Sequence, residues 1–268
     1  MATPIEITSK DNAAVKAAVR LMNSAKERRE RQCFIAEGVR LCLEALDNGC
    51  EVCELFYTED AGKRYAESVG RLELAAKQSY LITEEIADKM ADTVSPQGVF
   101  VVCRMKHNTI DLDTIRTDGQ FILLENIQDP SNIGAIFRTA EALGLDGAFL
   151  TTDCCDPYNP KSMRSSMGAL FRLPYLVVGD APATMNELKA KNMRPIASVP
   201  EDAATKIVSI RFFRGVIMCI GNEGRGLTDK LKAVCGEKVT IPMNGRAESL
   251  NAATAAAILM WEMVRNYA

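Results

Sequence analysis

Three short stretches in the second half of this 268-residue chain bring together residue types that hold polar ligands. The first runs from Asn132-Ile133-Gly134 to Arg138, and the second is Gly221-Asn222-Glu223-Gly224-Arg225-Gly226-Leu227. The third runs from Ile241-Pro242-Met243 to Glu248-Ser249-Leu250-Asn251. Each sits at the exit of an apolar run of strand character, where α/β proteins build ligand sites. The glycines at 221, 224 and 226 permit positive φ and close approach of backbone to a ligand. A tight loop before a helix starting near Thr228 would account for one or two of them. Asn132 and Ser249 are also credible helix caps, and Arg138, six residues further on, could simply face solvent.

Several chemistries are excluded. The single histidine, His107, is not accompanied by a GxSxG elbow, so a Ser-His-Asp site has no support. Histidine-rich metal clusters are impossible, and no metal is expected. The glycine stretch lacks the Gly-Lys-Ser/Thr of a phosphate loop, and no GxGxxG follows a strand. Cys50 and Cys53 form one CxxC without a second pair to complete a zinc site. An odd count of nine cysteines without a secretion signal favours free thiols, packed as small hydrophobes in a reducing cytosol.

Together the motifs resemble the SpoU (TrmH-like) branch of the SPOUT methyltransferases, which methylate RNA ribose 2′-hydroxyls with S-adenosylmethionine. The stretch Glu125-Asn126-Ile127-Gln128-Asp129-Pro130-Ser131-Asn132-Ile133-Gly134 through Arg138-Thr139-Ala140 carries the match most strongly. Asn159-Pro160-Lys161 and Arg164-Ser165-Ser166-Met167-Gly168-Ala169 add to it, so the similarity spans Phe121 to Met263. Phe34-Ile35-Ala36-Glu37-Gly38 and Ser95-Pro96-Gln97-Gly98 are similar to the family's amino-terminal substrate-binding domain.

The resemblance implies an α/β fold: a carboxy-terminal SPOUT knot (a deep trefoil, mostly parallel sheet with helices on both faces) and a smaller, L30e-like α/β domain before it. It implies a homodimer with sites at the interface. The methyl donor would rest near Ser198, Val199, Gly221, Asn222, Gly226, Ile241, Met243 and Leu250. Arg138 matches the family's catalytic position, with Asn132, Glu223, Ser249 and Asn251 orienting it and the ribose. A guanidinium is a poor resting base, so Arg138 is expected to bind substrate phosphate and stabilise oxyanion charge, with a role as base open if neighbours perturb it.

The elements must place these residues together. The continuous apolar run Phe121–Leu124 predicts a strand buried on both faces, with Ala148–Thr151 the next strand and Pro174–Val178, Pro195–Val199, Val216–Ile220 and Lys238–Ile241 further strand candidates in a mostly parallel sheet. Helices are expected at 132–143, 185–192, 228–234 and 250–266. The last is rich in alanine, which suits a core or a subunit interface. Before them, a helix over 11–25, strands near 33–36, 52–57 and 98–103, and a helix over 39–46 form a smaller unit. The expected division is 1–106, a polar linker 107–119, and 120–268.

Net charge is −3, so bulk electrostatics does not announce nucleic acid. From Lys16 to Arg40, however, seven basic residues face three acidic ones. A solvated helix face is the plainer reading; an RNA surface using Lys16, Arg20, Arg28, Arg29 and Arg31, with Arg164 added from the motif, is the sharper one. The terminus has no signal pattern and no apolar run approaches the roughly 20 residues of a membrane span, which fits a cytoplasmic protein. Ribosomal RNA is favoured over transfer RNA, because the family's ribosomal enzymes often carry the extra domain. A non-catalytic RNA-binding relative or a small-molecule enzyme are the rivals, the first opposed by the intact motifs and the second by the absent phosphate-loop lysine.

Overall fold

The alternating apolar runs build two β-sheets, each with helices on both faces. The computed structural model describes residues 3–106, 109–201, 203–246 and 249–265. His107, Glu248 and Asn266 lie outside the described residues. By its contacts the chain forms two units, Met1–His107 with Tyr158–Phe171, and Asn108–Pro157 with Arg172–Ala268. Compactness thus assigns Tyr158–Phe171 to the first unit, which the linear division at 106 and 120 does not anticipate.

The first unit contains β1 (Ile5–Ile7), α1 (Ala13–Asn23), α2 (Ala25–Arg31), β2 (Cys33–Glu37), α3 (Val39–Asp47), β3 (Val52–Thr58), α4 (Glu59–Arg64), α5 (Ala66–Ala75), β4 (Gln78–Ile82), α6 (Glu84–Met90) and β5 (Val99–Arg104). Its sheet runs β1-β4-β3-β5-β2, parallel between β1, β4 and β3 and antiparallel from β3 through β5 to β2. One face packs Val15, Leu21, Ile86 and Met90 over Phe56 and Phe100. Phe34 stacks on Tyr158 and Phe171, with centroids 4.8 and 5.4 Å apart. The Glu37-Gly38 and Ser95–Gly98 motifs meet: Gln97 Oε1 accepts from Val39 N at 2.9 Å, starting α3. Gly98 has φ +68°, and a Cβ there would meet Thr58 Oγ1 at 2.6 Å, so only glycine fits.

The remaining elements are β6 (Phe121–Leu124), α7 (Pro130–Ala142), β7 (Gly147–Thr151), α8 (Pro160–Ser166, part of the first unit), β8 (Tyr175–Val178), α9 (Ala181–Ala190), β9 (Arg194–Ser198), β10 (Thr205–Lys206), β11 (Val216–Ile220), α10 (Asp229–Val234), β12 (Glu237–Thr240) and α11 (Ala252–Val264). The second sheet is parallel throughout, in the order β10-β12-β9-β11-β6-β7-β8. Helices α9 and α10 cover one face over Leu123, Phe149, Ile217 and Cys219, while α7 and α11 pack on each other and on the opposite face. The polar stretch after residue 108 contributes Ile110, with Leu112 and Ile115 against the same core. Chain order reverses beside β6, where β11 and β9 lie on one side and β7 on the other. In a parallel sheet this switch opens a crevice at the carboxyl ends of the strands.

Candidate active site

Because every strand of the second sheet runs the same way, the loops after β6, β9, β11 and β12 emerge at one edge. The loop after β6 carries the first motif. Asp129, not Asn132, caps α7, accepting from Ser131 N at 2.8 Å. Pro130 takes the first helical position, where its missing N–H costs nothing. Asn132 therefore lies inside the first turn, 5% exposed, with its amide free for longer-range bonds.

Those bonds join the three motifs. Asn132 Nδ2 donates to Glu223 Oε1 at 2.8 Å, and Asn251 Nδ2 donates to Asn132 Oδ1 at 3.0 Å. Glu223 also accepts from Gln128 N at 3.4 Å and Asp129 N at 3.5 Å. Asn251 is the cap of α11, its Oδ1 accepting from Ala253 N at 2.9 Å and Thr254 N at 3.3 Å. The expected cap, Ser249, is exposed and precedes the helix by two further residues. A helix cap and a mid-motif asparagine thus share one network, which sequence reasoning had placed near each other without its geometry.

The glycine loop folds back on itself. Asn222 Oδ1 accepts from Gly224 N and Arg225 N, both at 3.0 Å, and Asn222 O accepts from Gly226 N at 2.9 Å. A Cβ on Gly221 would lie 2.2 Å from Gly226 C and Leu227 N, so the two limbs touch through backbone and no side chain is tolerated. Asn222 Nδ2 ties the loop to Asn126 O at 2.8 Å. Asn126 itself has φ +55° and donates its N–H to Thr151 Oγ1 at 2.9 Å, drawing the loop after β7 alongside. Beneath, Cys154 donates to Leu124 O at 3.3 Å, and burial pushes its thiol pKa up. Asn126 and Gln128 stood in the matching stretch without an assigned role and Thr151 only as a strand end; the positive φ of Asn126 carries no periodic signal.

The other expected donor-site residues also lie at this edge. Ser198 is half-buried, Val199 is buried and donates its N–H to Val239 O at 2.9 Å. Ile241 and Leu250 are half-buried, and Met243 is exposed in an irregular run after β12. Close backbone approach beside half-exposed apolar side chains fits an adenosyl group. Arg138 differs: it is exposed and, among the described residues, has no ion-pair partner. Six residues turn a helix through about 600°, which carries Arg138 away from the face that holds Asn132.

The expected RNA-binding cations divide. Arg28 is a correction: it is 2% exposed, and its Nη1 donates to Leu21 O at 2.7 Å and Met22 O at 3.0 Å, closing the end of α1. The expected helix over 11–25 is α1; a second short helix, α2, capped by Ser24, turns Arg28 inward. Arg164 is engaged by Asp92 at 2.5 Å and lies 4.0 Å from the buried Glu37. Lys16 pairs with Asp11 at 2.8 Å and Arg20 with Glu27 at 3.8 Å. Arg29 and Arg31 are exposed without ion-pair partners among the described residues.

The SpoU rRNA Methylase family model matches residues 119–261, which contain this whole network. The chain belongs to the SpoU rRNA methylase family. An MRM3-like substrate binding domain matches residues 12–101. The 23S rRNA (guanosine(2553)-2′-O)-methyltransferase RlmP of Bacillus subtilis is 31% identical over 96% of this chain and 98% of its own. The 23S rRNA (uridine(2479)-2′-O)-methyltransferase of Streptomyces viridochromogenes is 31% identical over 97% of this chain and 91% of its own. The crystal structure of an AdoMet-bound rRNA methyltransferase from Sinorhizobium meliloti superposes with a TM-score of 0.86, at 27% identity, covering 98% of both chains. Among the described residues no cluster could hold a metal ion and no helix is long and apolar enough to cross a membrane.

Proposed function

We propose that this chain transfers the methyl group of S-adenosylmethionine to ribose 2′-hydroxyls of ribosomal RNA, in the cytoplasm. The observation that carries this reading is the Asn251–Asn132–Glu223 network, which binds all three SpoU motifs at one sheet edge. The donor supplies an electrophilic sulfonium methyl. Ser198, Val199, Gly221, Asn222, Gly226, Ile241, Met243 and Leu250 hold it, largely through backbone. The knotted path of residues 120–268 belongs to the same reading, supported by the insertion of β12 between β10 and β9.

A ribose hydroxyl ionises far above neutral pH, so its attack needs proton removal or stabilisation of developing negative charge. Arg138 supplies a cation without a competing carboxylate, suited to a substrate phosphate and to the forming oxyanion. Asn132, Glu223, Ser249 and Asn251 orient the ribose, and positioning for in-line displacement supplies much of the rate. The working unit is a homodimer. Thr254, Ile258 and Trp261 form an exposed stripe along α11, which packs on α7. A chain's own Arg138 faces away from its Asn132–Glu223 network, which suits a site completed by a second copy across that stripe. Residues 1–106 bind RNA by shape and phosphate, using Lys16, Arg20, Arg29 and Arg31.

The test is methyl transfer from labelled S-adenosylmethionine to bulk ribosomal and transfer RNA from a host lacking this protein. Label in ribosomal RNA, mapped to one 2′-O-methylated nucleotide, is expected. Label only in transfer RNA would move the substrate class, and no donor binding would favour a non-catalytic RNA-binding role.

A further inference from the structure

The loop after β11 is fastened to the loop after β6 at both of its limbs, by two carboxylates that reach in opposite directions. On the outgoing limb, Glu223 reaches across to Asn132 Nδ2 and the N–H groups of Gln128 and Asp129. On the return limb the direction reverses. Glu125, the residue after β6, sends its carboxylate to Thr228: Oε2 accepts from Thr228 N at 2.7 Å and Oε1 from Thr228 Oγ1 at 2.8 Å. Glu125 is only 6% exposed, and its own N–H donates to Ile220 O at 2.9 Å, so its backbone is fixed to the strand that launches the loop. The Thr228 hydroxyl in turn accepts from Leu231 N at 3.3 Å, starting α10. A buried carboxylate using both oxygens on one residue fixes that residue's position and orientation more closely than a single bond would.

What Thr228 fixes matters because the two limbs touch. Gly226 and Leu227 press on Gly221 so closely that a Cβ would collide at 2.2 Å. A small shift of the return limb therefore opens or closes the surface that Gly221 and Gly226 present.

We propose that Glu125 is a positioning residue for methyl-donor binding: by holding both donors of Thr228, it clamps the return limb against Gly221 and sets the shape of the donor cradle. The proposal rests on the reading of Gly221–Gly226 as the donor-holding loop. Glu125 is buried with its carboxylate spent on Thr228, and it acts through that residue. Its removal therefore weakens donor binding rather than the chemical step.

The experiment measures S-adenosylmethionine Kd by calorimetry, with steady-state kinetics, RNA affinity and thermal midpoint, on the full chain. Glu125→Gln puts an amide N–H₂ against one of the two Thr228 donors. It is expected to raise donor Kd and donor KM at least tenfold, with kcat at saturating donor within about threefold and RNA affinity within about twofold. Thr228→Val removes the hydroxyl only and should raise donor Kd by a smaller factor. The double variant should bind donor no more weakly than Glu125→Gln alone, because both changes break one interaction. Glu125→Asp, which keeps the charge, should recover part of the loss; with Thr228→Val it carries the test if Glu125→Gln fails to fold. Gly221→Ala separates the two readings. If it loses donor binding while Glu125→Gln keeps wild-type affinity, at whatever cost in thermal midpoint, Glu125 is merely structural and the clamp is overturned. If Gly221→Ala itself binds donor normally, the loop is not the donor site, and the clamp falls with it.

Discussion

At the residue scale the site turns on an asparagine that works in both directions. Asn132 donates to Glu223 and accepts from Asn251, so no isosteric side chain keeps both bonds. Asn132→Asp sets a carboxylate against Glu223, where the amide had donated. Methyl transfer is expected to fall by about two orders of magnitude, a loss of roughly 3 kcal/mol in transition-state stabilisation. Activity within a few-fold of wild type would remove Asn132 from the machinery. Arg138 makes a different demand, because it is exposed and uncommitted among the described residues. Arg138→Ala should lose roughly 10²–10³ in kcat, the scale for deleting one preorganised donor to a developing anion, while donor Kd stays within twofold. Arg138→Lys keeps the charge but loses the planar fork, and an intermediate rate is expected. Single-turnover methyl transfer with a parallel donor titration checks both, and full activity of Arg138→Ala would end the role assigned to it.

At the scale of elements, a break decides what the basic segment can do. Ser24 adopts an extended conformation between α1 and α2, and Arg28 folds back onto carbonyls at the end of α1. Helix ends leave such carbonyls orphaned, and a buried cation satisfies two of them. Arg28→Met should therefore cost about 2–3 kcal/mol in urea unfolding, the penalty for unpaired buried groups. Arg29→Ala should leave stability unchanged, weaken RNA binding and reduce the salt dependence by about one counterion. Equal effects of the two on RNA binding, with no stability loss for Arg28→Met, would return Arg28 to the surface set. The sequence could not distinguish these arginines, because they lie beyond the helix expected over 11–25 and no periodicity assigned them a face. The same limit explains the edge strands that went unread. β1 has three residues with two exposed, and β4 buries only Ile82, so neither shows an apolar run. The central strands β6 and β11, buried at every position, were legible to the residue. The α11 cap was misplaced by two residues, since Ser249 and Asn251 both have capping side chains and only the path of the backbone chooses between them. The motif residues were legible; the bonds joining them, set by a parallel register over nearly a hundred residues of chain, were not.

At the scale of the whole molecule, association and buried thiols set how the protein should behave. The α11 stripe exposes Trp261 at 50% and Ile258 at 36%, an apolar surface on a helix whose other face is core. Trp261→Glu tests the proposed homodimer: a monomer by sedimentation is expected, with donor binding kept and methyl transfer lost; an active monomer would show that each chain completes its own site. The thiols predict the response to alkali. Burial raises Cys50 from 9.0 to about 11, Cys42 higher still, and Cys103 well above the ordinary thiol value. A thiol with a raised folded pKa stabilises the fold fully while the unfolded thiol keeps its proton. Above pH 9 the unfolded chain loses that proton and the folded one does not, so stability falls as pH rises. For Cys50 the loss runs from pH 9 to about 11 and amounts to roughly 3 kcal/mol at about 1.4 kcal/mol per pH unit, with Cys42 and Cys103 adding to the same slope. Urea midpoints should therefore be level from pH 7 to 8.5 and drop steeply by pH 10. Cys50→Ala should start lower, from the lost packing, but fall less over that interval. A midpoint unchanged at pH 10 in the parent protein would mean that these thiols are not held in the dry interior described for them.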